Sequence, residues 1–278
     1  TRNVYRKSGG EVVAFDGKAW RGTKRDMEEM TTRVGAWAGG AGSSLGQVEV
    51  EGKSNEITAL PKLLELLDLE GCIVTADAMG CQRQVATKCV EAGAGYVLAV
   101  KGNQPDLHDQ VSGAMDAIAE DEEAHHSEEN QGRGRTESRR GWATDGVGDW
   151  LEGHEKWEGL RSIAVVESER TEKGATSVER RYFISSLPPD AAKIAAAARS
   201  HWRVENSLHW VLDVVFGEDA ARARTRNAAA NLSQLRRLAM NLIKTEGQYS
   251  EWAVKKRRLA ASLDPEYLGK LLGIRGDA

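Results

Sequence analysis

A chain of 278 residues with 40% hydrophobic content is long enough to bury a substantial core, as one large domain or as a compact core with an insertion. No apolar run approaches the roughly 20 residues needed to cross a bilayer, and the opening TRNVYRKSGG lacks the apolar stretch of a signal peptide, so a cytoplasmic protein without membrane contact is expected. A net charge of -4 argues mildly against nucleic-acid binding unless the basic residues cluster.

They do cluster. Acid is concentrated over residues 116–129, whereas base gathers at Arg133, Arg135, Arg139 and Arg140, at Arg222, Arg224 and Arg226, and over residues 255–258. These basic runs either line one face or are ordinary solvated surface. Cys72, Cys81 and Cys89 are odd in number and contain no CxxC pair, which fits reduced, packed thiols better than disulfides or a zinc cluster.

In chain order, residues 11–16, 34–38 and 45–51 read as three strands, the last two separated by glycines, and they suggest a meander. Residues 59–69 repeat leucine at helical spacing, with Pro61 tolerable in a first turn. A buried strand at 72–76, a helix at 82–92 stopped by Gly93, a strand at 96–100 and a helix at 105–123 follow. The order βββαβαβα predicts an α/β fold of the ribonuclease H-like kind, a mixed five-stranded sheet flanked by helices. In that topology the first and fourth strands are neighbours, which would bring Asp16 and Asp77, at their ends, together.

Residues 130–186 change character, with Trp142, Trp150 and Trp157 and two strand-like runs at 162–167 and 179–185, and read as a β-rich insertion. The tryptophans are expected mostly in the core, with one or two free to stack on an unpaired base. A long helix begins after Pro188 and Pro189, with Asp190 as N-cap, and is expected to run to about Phe216, where Gly217 can stop it. Its apolar stripe, Ile194, Ala197, Ala198, Val204, Leu208, Val211 and Val215, puts Glu205 at the border of the buried face. Helices at 227–245, 250–262 and 265–272 complete the chain. The expected organisation is residues 1–129 and 188–278 as one core, with 130–187 inserted before the helix that carries Glu205.

Two strand-end aspartates and a helical glutamate can gather two magnesium ions about 4 Å apart around a phosphodiester. Magnesium keeps much of its water, so three carboxylates are sufficient protein ligands. Taken singly, each acid has an ordinary explanation: Asp16-Gly17 as a turn, Asp77 as a cap, Glu205 as a partner of Arg203 or Arg199. A rival constellation is His201, Glu205 and His209 at i, i+4 and i+8, which could present two imidazoles and a carboxylate to zinc as in a metallohydrolase, though without the HExxH pattern. Lys18 and Arg21 after Asp16, and Lys101, Asn103 and Gln104 after the fifth strand, are candidates for holding a DNA backbone near the acids, with Arg203 and His209 beside Glu205.

These residues sit in longer motifs. AFDGKAWRG (14–22), GKSNEITALPKLLELLDLEGCIVTADAMGCQ (52–82), YVLAVKGNQPDL (96–107), HWRVENSLHWVLDVVFGED (201–219) and NLSQLRRLAMNL (231–242) together resemble the DDE transposases of the ISAs branch of insertion sequences, the H-repeat-associated proteins. The resemblance implies Asp16, Asp77 and Glu205 as catalytic and metal-holding triad and Mg²⁺ or Mn²⁺ as cofactor. It also implies double-stranded DNA, transposon ends and target, as partner, a homodimer on DNA, and a bacterial, nucleoid-associated setting. Phe15 and Trp20 are bulkier than the aliphatic residues usual around the first motif. Similar proteins carry a further segment ahead of the first aspartate, and a chain starting at Thr1 is expected to lack its contribution to end binding. A catalytically idle remnant that only binds DNA is the alternative from another class.

Overall fold

The computed structural model describes residues 10–19, 32–50, 56–132, 134–223 and 227–274. β1 (Val12–Ala19), β2 (Thr32–Ala38) and β3 (Ser43–Glu49) form the antiparallel meander. α1 (Glu56–Glu65) follows, starting earlier than the leucine spacing suggests, so Pro61 lies inside the helix and not in its first turn. β4 (Ile73–Ala76), α2 (Arg83–Glu91), β5 (Gly95–Val100) and α3 (Pro105–Asp121) come next. Here β1 pairs parallel with β4, and β4 with β5.

The predicted insertion does not stand apart. β6 (His126–Gly132), β7 (Arg135–Thr144), the short helix α4 (Val147–Trp150), β8 (Ser162–Glu172) and β9 (Ala175–Ser185) fill this stretch, and β9 pairs antiparallel with β5. The sheet therefore has nine strands instead of five, in the order β3-β2-β1-β4-β5-β9-β8-β7-β6. The physical reason is the edge of β5: its unpaired peptide groups, apolar on both faces, are covered by β9. The hairpins also join the two charge runs. Arg139 pairs with Glu128 at 2.9 Å and with Glu137 at 2.5 Å, Arg140 pairs with Glu167, and Arg180 reaches both Glu167 and Asp116 at 2.8 Å. Much of the basic stretch of β7 is thus neutralised within the sheet.

Helices cover both faces. Val13, Phe15, Val74, Ala76, Tyr96 and Leu98 pack against Leu60, Leu63, Val85 and Met115 of α1, α2 and α3. On the opposite face α5 (Ala191–Val204), N-capped by Asp190 Oδ1 accepting from Lys193 N at 2.9 Å, lays Ile194, Ala197 and Ala198 on Val97 and Phe183. α6 (Ala228–Thr245), α7 (Val254–Leu263) and α8 (Pro265–Leu271) close the chain. Trp142 and Trp157 are buried, while Trp150 is exposed, and all three cysteines are buried free thiols. Among the described residues no helix is long and apolar enough to cross a membrane.

Candidate active site

Parallel pairing of β1 with β4 runs Val12↔Ile73 to Phe15↔Ala76, and the next residue on each strand is an aspartate, Asp16 and Asp77. Neighbouring strands lie about 4.8 Å apart, so matched register sets the two carboxylates side by side. Alternation decides the face. Phe15 and Ala76 point into the core beneath α1 to α3, whereas Ala14 packs on Val204 and Leu208, and Thr75 Oγ1 lies 3.1 Å from His201 Nδ1 of α5. Asp16 and Asp77 share the parity of Ala14 and Thr75 and so open towards α5.

The expected single helix to Phe216 is interrupted. After Val204 the chain continues in two wide π-helical turns, Glu205–His209 and Val211–Val215, closed by Trp210 N and Phe216 N bonding five residues back. Such turns occur mostly as single interruptions in α-helices and are frequent at functional sites. Lys244 of α6, stacked over Trp37, donates to the Ser207 carbonyl at 3.0 Å and holds the first turn, and burial pushes its ammonium down to about 8. Glu205 opens this turn, exposed, between the buried Val204 and Leu208.

Asp16, Asp77 and Glu205 line one open cleft of about 640 Å³, together with Lys101, His201 and Trp202. Its far wall comes from β9, where Arg181 is held by Glu179 at 2.7 Å and stacks 3.3 Å from the Trp202 ring centre. Among the described residues no three His, Cys, Asp or Glu side chains close on a common point. That holds for Asp16, Asp77 and Glu205 as it does for His201, Glu205 and His209, but an open magnesium site completed by water and phosphate asks for fewer protein ligands than a zinc centre. His201 is tied to Thr75, and burial lowers its pKa. His209 lies 3.6 Å from Asp16, and burial, with Lys18 and Arg237 nearby, pushes it down to about 4. An all-carboxylate oxygen set still suits magnesium, which brings its own waters to an open site.

The other predicted contacts divide. Lys101 is exposed at the cleft, and Arg203 is exposed on α5. Lys18 points elsewhere: it is half-buried against Asp213 and lies 3.2 Å from Glu218, so its charge is already matched by protein. Asn103 donates to the Ala78 carbonyl at 2.8 Å and Gln104 to the Cys81 carbonyl, so both amides serve a neighbouring loop. His209, neutral near pH 7, brings no cation to a phosphate. Arg21, with Arg133, Arg224 and Arg226, lies outside the described residues.

A buried network behind Asp16 escaped the sequence reading. Lys18, two residues on from Asp16 and of the same parity, joins Asp213 and Glu218, and Glu218 accepts from Ser233 at 2.7 Å and Arg237 at 3.1 Å. Its only trace in sequence is that LDVVFGED and NLSQLRR fall within the recognised motifs, since the partners lie far from Lys18 along the chain.

The chain belongs to the family described as the transposase DDE domain, whose profile matches residues 7–242, and is thus an enzyme that acts on DNA. Within that class it is similar to "Putative transposase YncI" of Escherichia coli O157:H7, 38% identical over 95% of this chain and 69% of the relative. It is also similar to "H repeat-associated putative transposase YhhI" of Escherichia coli (strain K12), 34% identical over 99% of this chain and 75% of the relative. A piggyBac transposase synaptic complex with hairpin DNA overlaps with a TM-score of 0.46 and 12% identity over 95% of this chain and 54% of its own, too loosely to bear on mechanism.

Proposed function

We propose that Asp16, Asp77 and Glu205 are the catalytic carboxylates of this transposase, holding Mg²⁺ or Mn²⁺ and directing strand cleavage and strand transfer at insertion-sequence ends. The reading rests above all on the cleft that these three carboxylates share, although they come from β1, β4 and the end of α5. When bound, the ions supply activation of the attacking oxygen and offset charge on the leaving one. The protein's part is to aim three carboxylates from rigid elements, two at matched strand ends and one at a helix turn pinned by Lys244. Lys101, exposed at the cleft, would hold a DNA phosphate there as a point charge, and Arg203, exposed on α5, would meet the strand farther along. We read the core strands β1 to β5 with their helices as ribonuclease H-like, residues 1–129 and 188–278, with 130–187 inserted as an extension of the sheet. The substrate is double-stranded DNA, engaged by a homodimer in the bacterial cytoplasm, on the nucleoid.

The test is nicking and joining of labelled linear DNA carrying the element's own terminal sequence, with Mg²⁺ or Mn²⁺ against EDTA. Products should depend on metal and vanish in Glu205→Gln, while products retained in that variant would remove Glu205 from the site. In a separate binding measurement in EDTA, Lys101→Ala should weaken retention at low salt and reduce the slope of log affinity against log salt by about 1.

A further inference from the structure

We infer that Asn103 and Gln104 are positioning residues that fix the Asp77 carboxylate for metal, and that they are not DNA contacts. The inference rests on Asp77 being a catalytic carboxylate.

The backbone ladder between β4 and β5 ends at Ala76↔Leu98, one residue before Asp77. Asp77 therefore sits where strand pairing no longer orients the chain. Two consecutive amide side chains take over beyond that point. Asn103 Nδ2 donates to the carbonyl of Ala78 and Gln104 Nε2 to that of Cys81, so they grip both ends of the turn that follows the aspartate. Within the turn, Met79 N and Gly80 N donate to Asp77 Oδ1 at 3.1 and 3.3 Å, which fixes one carboxylate oxygen and so the plane of the group. The turn is also pressed on the strand: a Cβ at Gly80 would stand 2.6 Å from the Ala76 Cβ, a contact that real Cβ atoms do not make.

Rotation of the turn would carry Oδ1 with it, because the donors that hold it belong to residues 79 and 80. Gripping Ala78 and Cys81 from β5's loop blocks that rotation. Each carboxamide spends one of its two N–H donors on a backbone carbonyl, and that bond directs the group at the turn. Lys101, two residues earlier and exposed, is the part of this loop that faces the cleft. The loop thus divides its work: charge to the cleft, amides to the turn.

Asn103→Leu with Gln104→Met keeps side-chain volume and removes both donors. Groups bonded directly to a metal ligand change metal affinity by roughly tenfold to hundredfold, and Asn103 and Gln104, acting one step further out through the turn, are expected to reach about tenfold. Three quantities separate the possibilities: Mn²⁺ affinity by calorimetry in the absence of DNA, retention of labelled end DNA in EDTA, and nicking rate against Mn²⁺ concentration. The expected result is Mn²⁺ affinity lowered by that factor, a nicking curve shifted to higher Mn²⁺ with its plateau largely recovered, and DNA retention in EDTA unchanged. Unchanged Mn²⁺ affinity with weakened DNA retention would overturn the inference and make these residues DNA contacts. Should the double variant fail to fold by circular dichroism, Gln104→Met alone is measured, and wild-type Mn²⁺ affinity in it would equally overturn the inference. Asp77→Asn, run in parallel, isolates the underlying reading: wild-type Mn²⁺ affinity and nicking there would remove Asp77 from the site, whatever the amide variants do.

Discussion

Asp77→Ala is expected to abolish metal-dependent nicking and joining of end DNA, lowering the rate by several orders of magnitude, while the thermal unfolding midpoint moves little. Its carboxylate is partly exposed at the cleft, and the bonds it would lose are those from Met79 and Gly80 in a turn still gripped by Asn103 and Gln104. Removal of one of three carboxylates should leave any bound ion misplaced relative to the scissile phosphate, and small misplacements are costly because catalysis here is mostly orientation and charge offset. The measurement is single-turnover nicking with Mn²⁺ beside a melting curve. Nicking retained at the wild-type rate in a folded variant would remove Asp77 from the reaction.

Glu218→Gln should lower stability by about 3–5 kcal/mol at neutral pH, since it leaves the buried Arg237 without its carboxylate and Lys18 with Asp213 alone. The Arg237 side chain is only 5% exposed, so solvent offers that cation little compensation. Burial alone would raise the Glu218 carboxyl, but Arg237, Lys18 and the Ser233 hydroxyl hold it below the usual carboxylate range. A carboxyl depressed in the folded state contributes fully above its unfolded value of about 4.3 and loses that contribution as pH falls through the lower folded value. The stability gap between wild type and variant, read from guanidinium unfolding midpoints, should therefore be flat from pH 8 to about 5 and close below about 4. A gap that stays constant into acid would show that Glu218 acts through packing and not through charge.

The placement of the three candidate carboxylates could be read from the residues because its logic is local. Asp16 and Asp77 each follow a buried apolar strand, and the order of elements places those strands together. Glu205 borders a stripe whose members, Val204 and Leu208 among them, are all buried. What stayed hidden depends on partners far away or on backbone detail. HSEENQG looks like solvated loop, yet it pairs as an edge strand because β7 supplies Arg139 and Arg140 across from its acids. Lys18 looks like a free cation until residues 195 and 200 positions away are folded against it. Asn103 and Gln104 look like ligands for phosphate until the turn after Asp77 offers its carbonyls. The π-helical turns cannot be seen from periodicity, since apolar spacing of three and four fits them as well as it fits an α-helix.

Those two turns set a rotational phase. An α-helix advances about 100° per residue, and a stretch closed five residues back instead of four uses an additional residue without advancing the helix face in the usual way. Asp213 and Glu218, downstream of Glu205, meet Lys18 on β1 only because that additional length has been absorbed on the way. Removal of one residue from either wide turn would therefore let it close four residues back and leave Asp213 and Glu218 near Lys18, whereas removal of one from α5 ahead of Val204 would swing Glu205, Asp213 and Glu218 by about 100° relative to β1 and β4. The wide turns are thus where this segment can give up a residue, and α5 ahead of them is where it cannot.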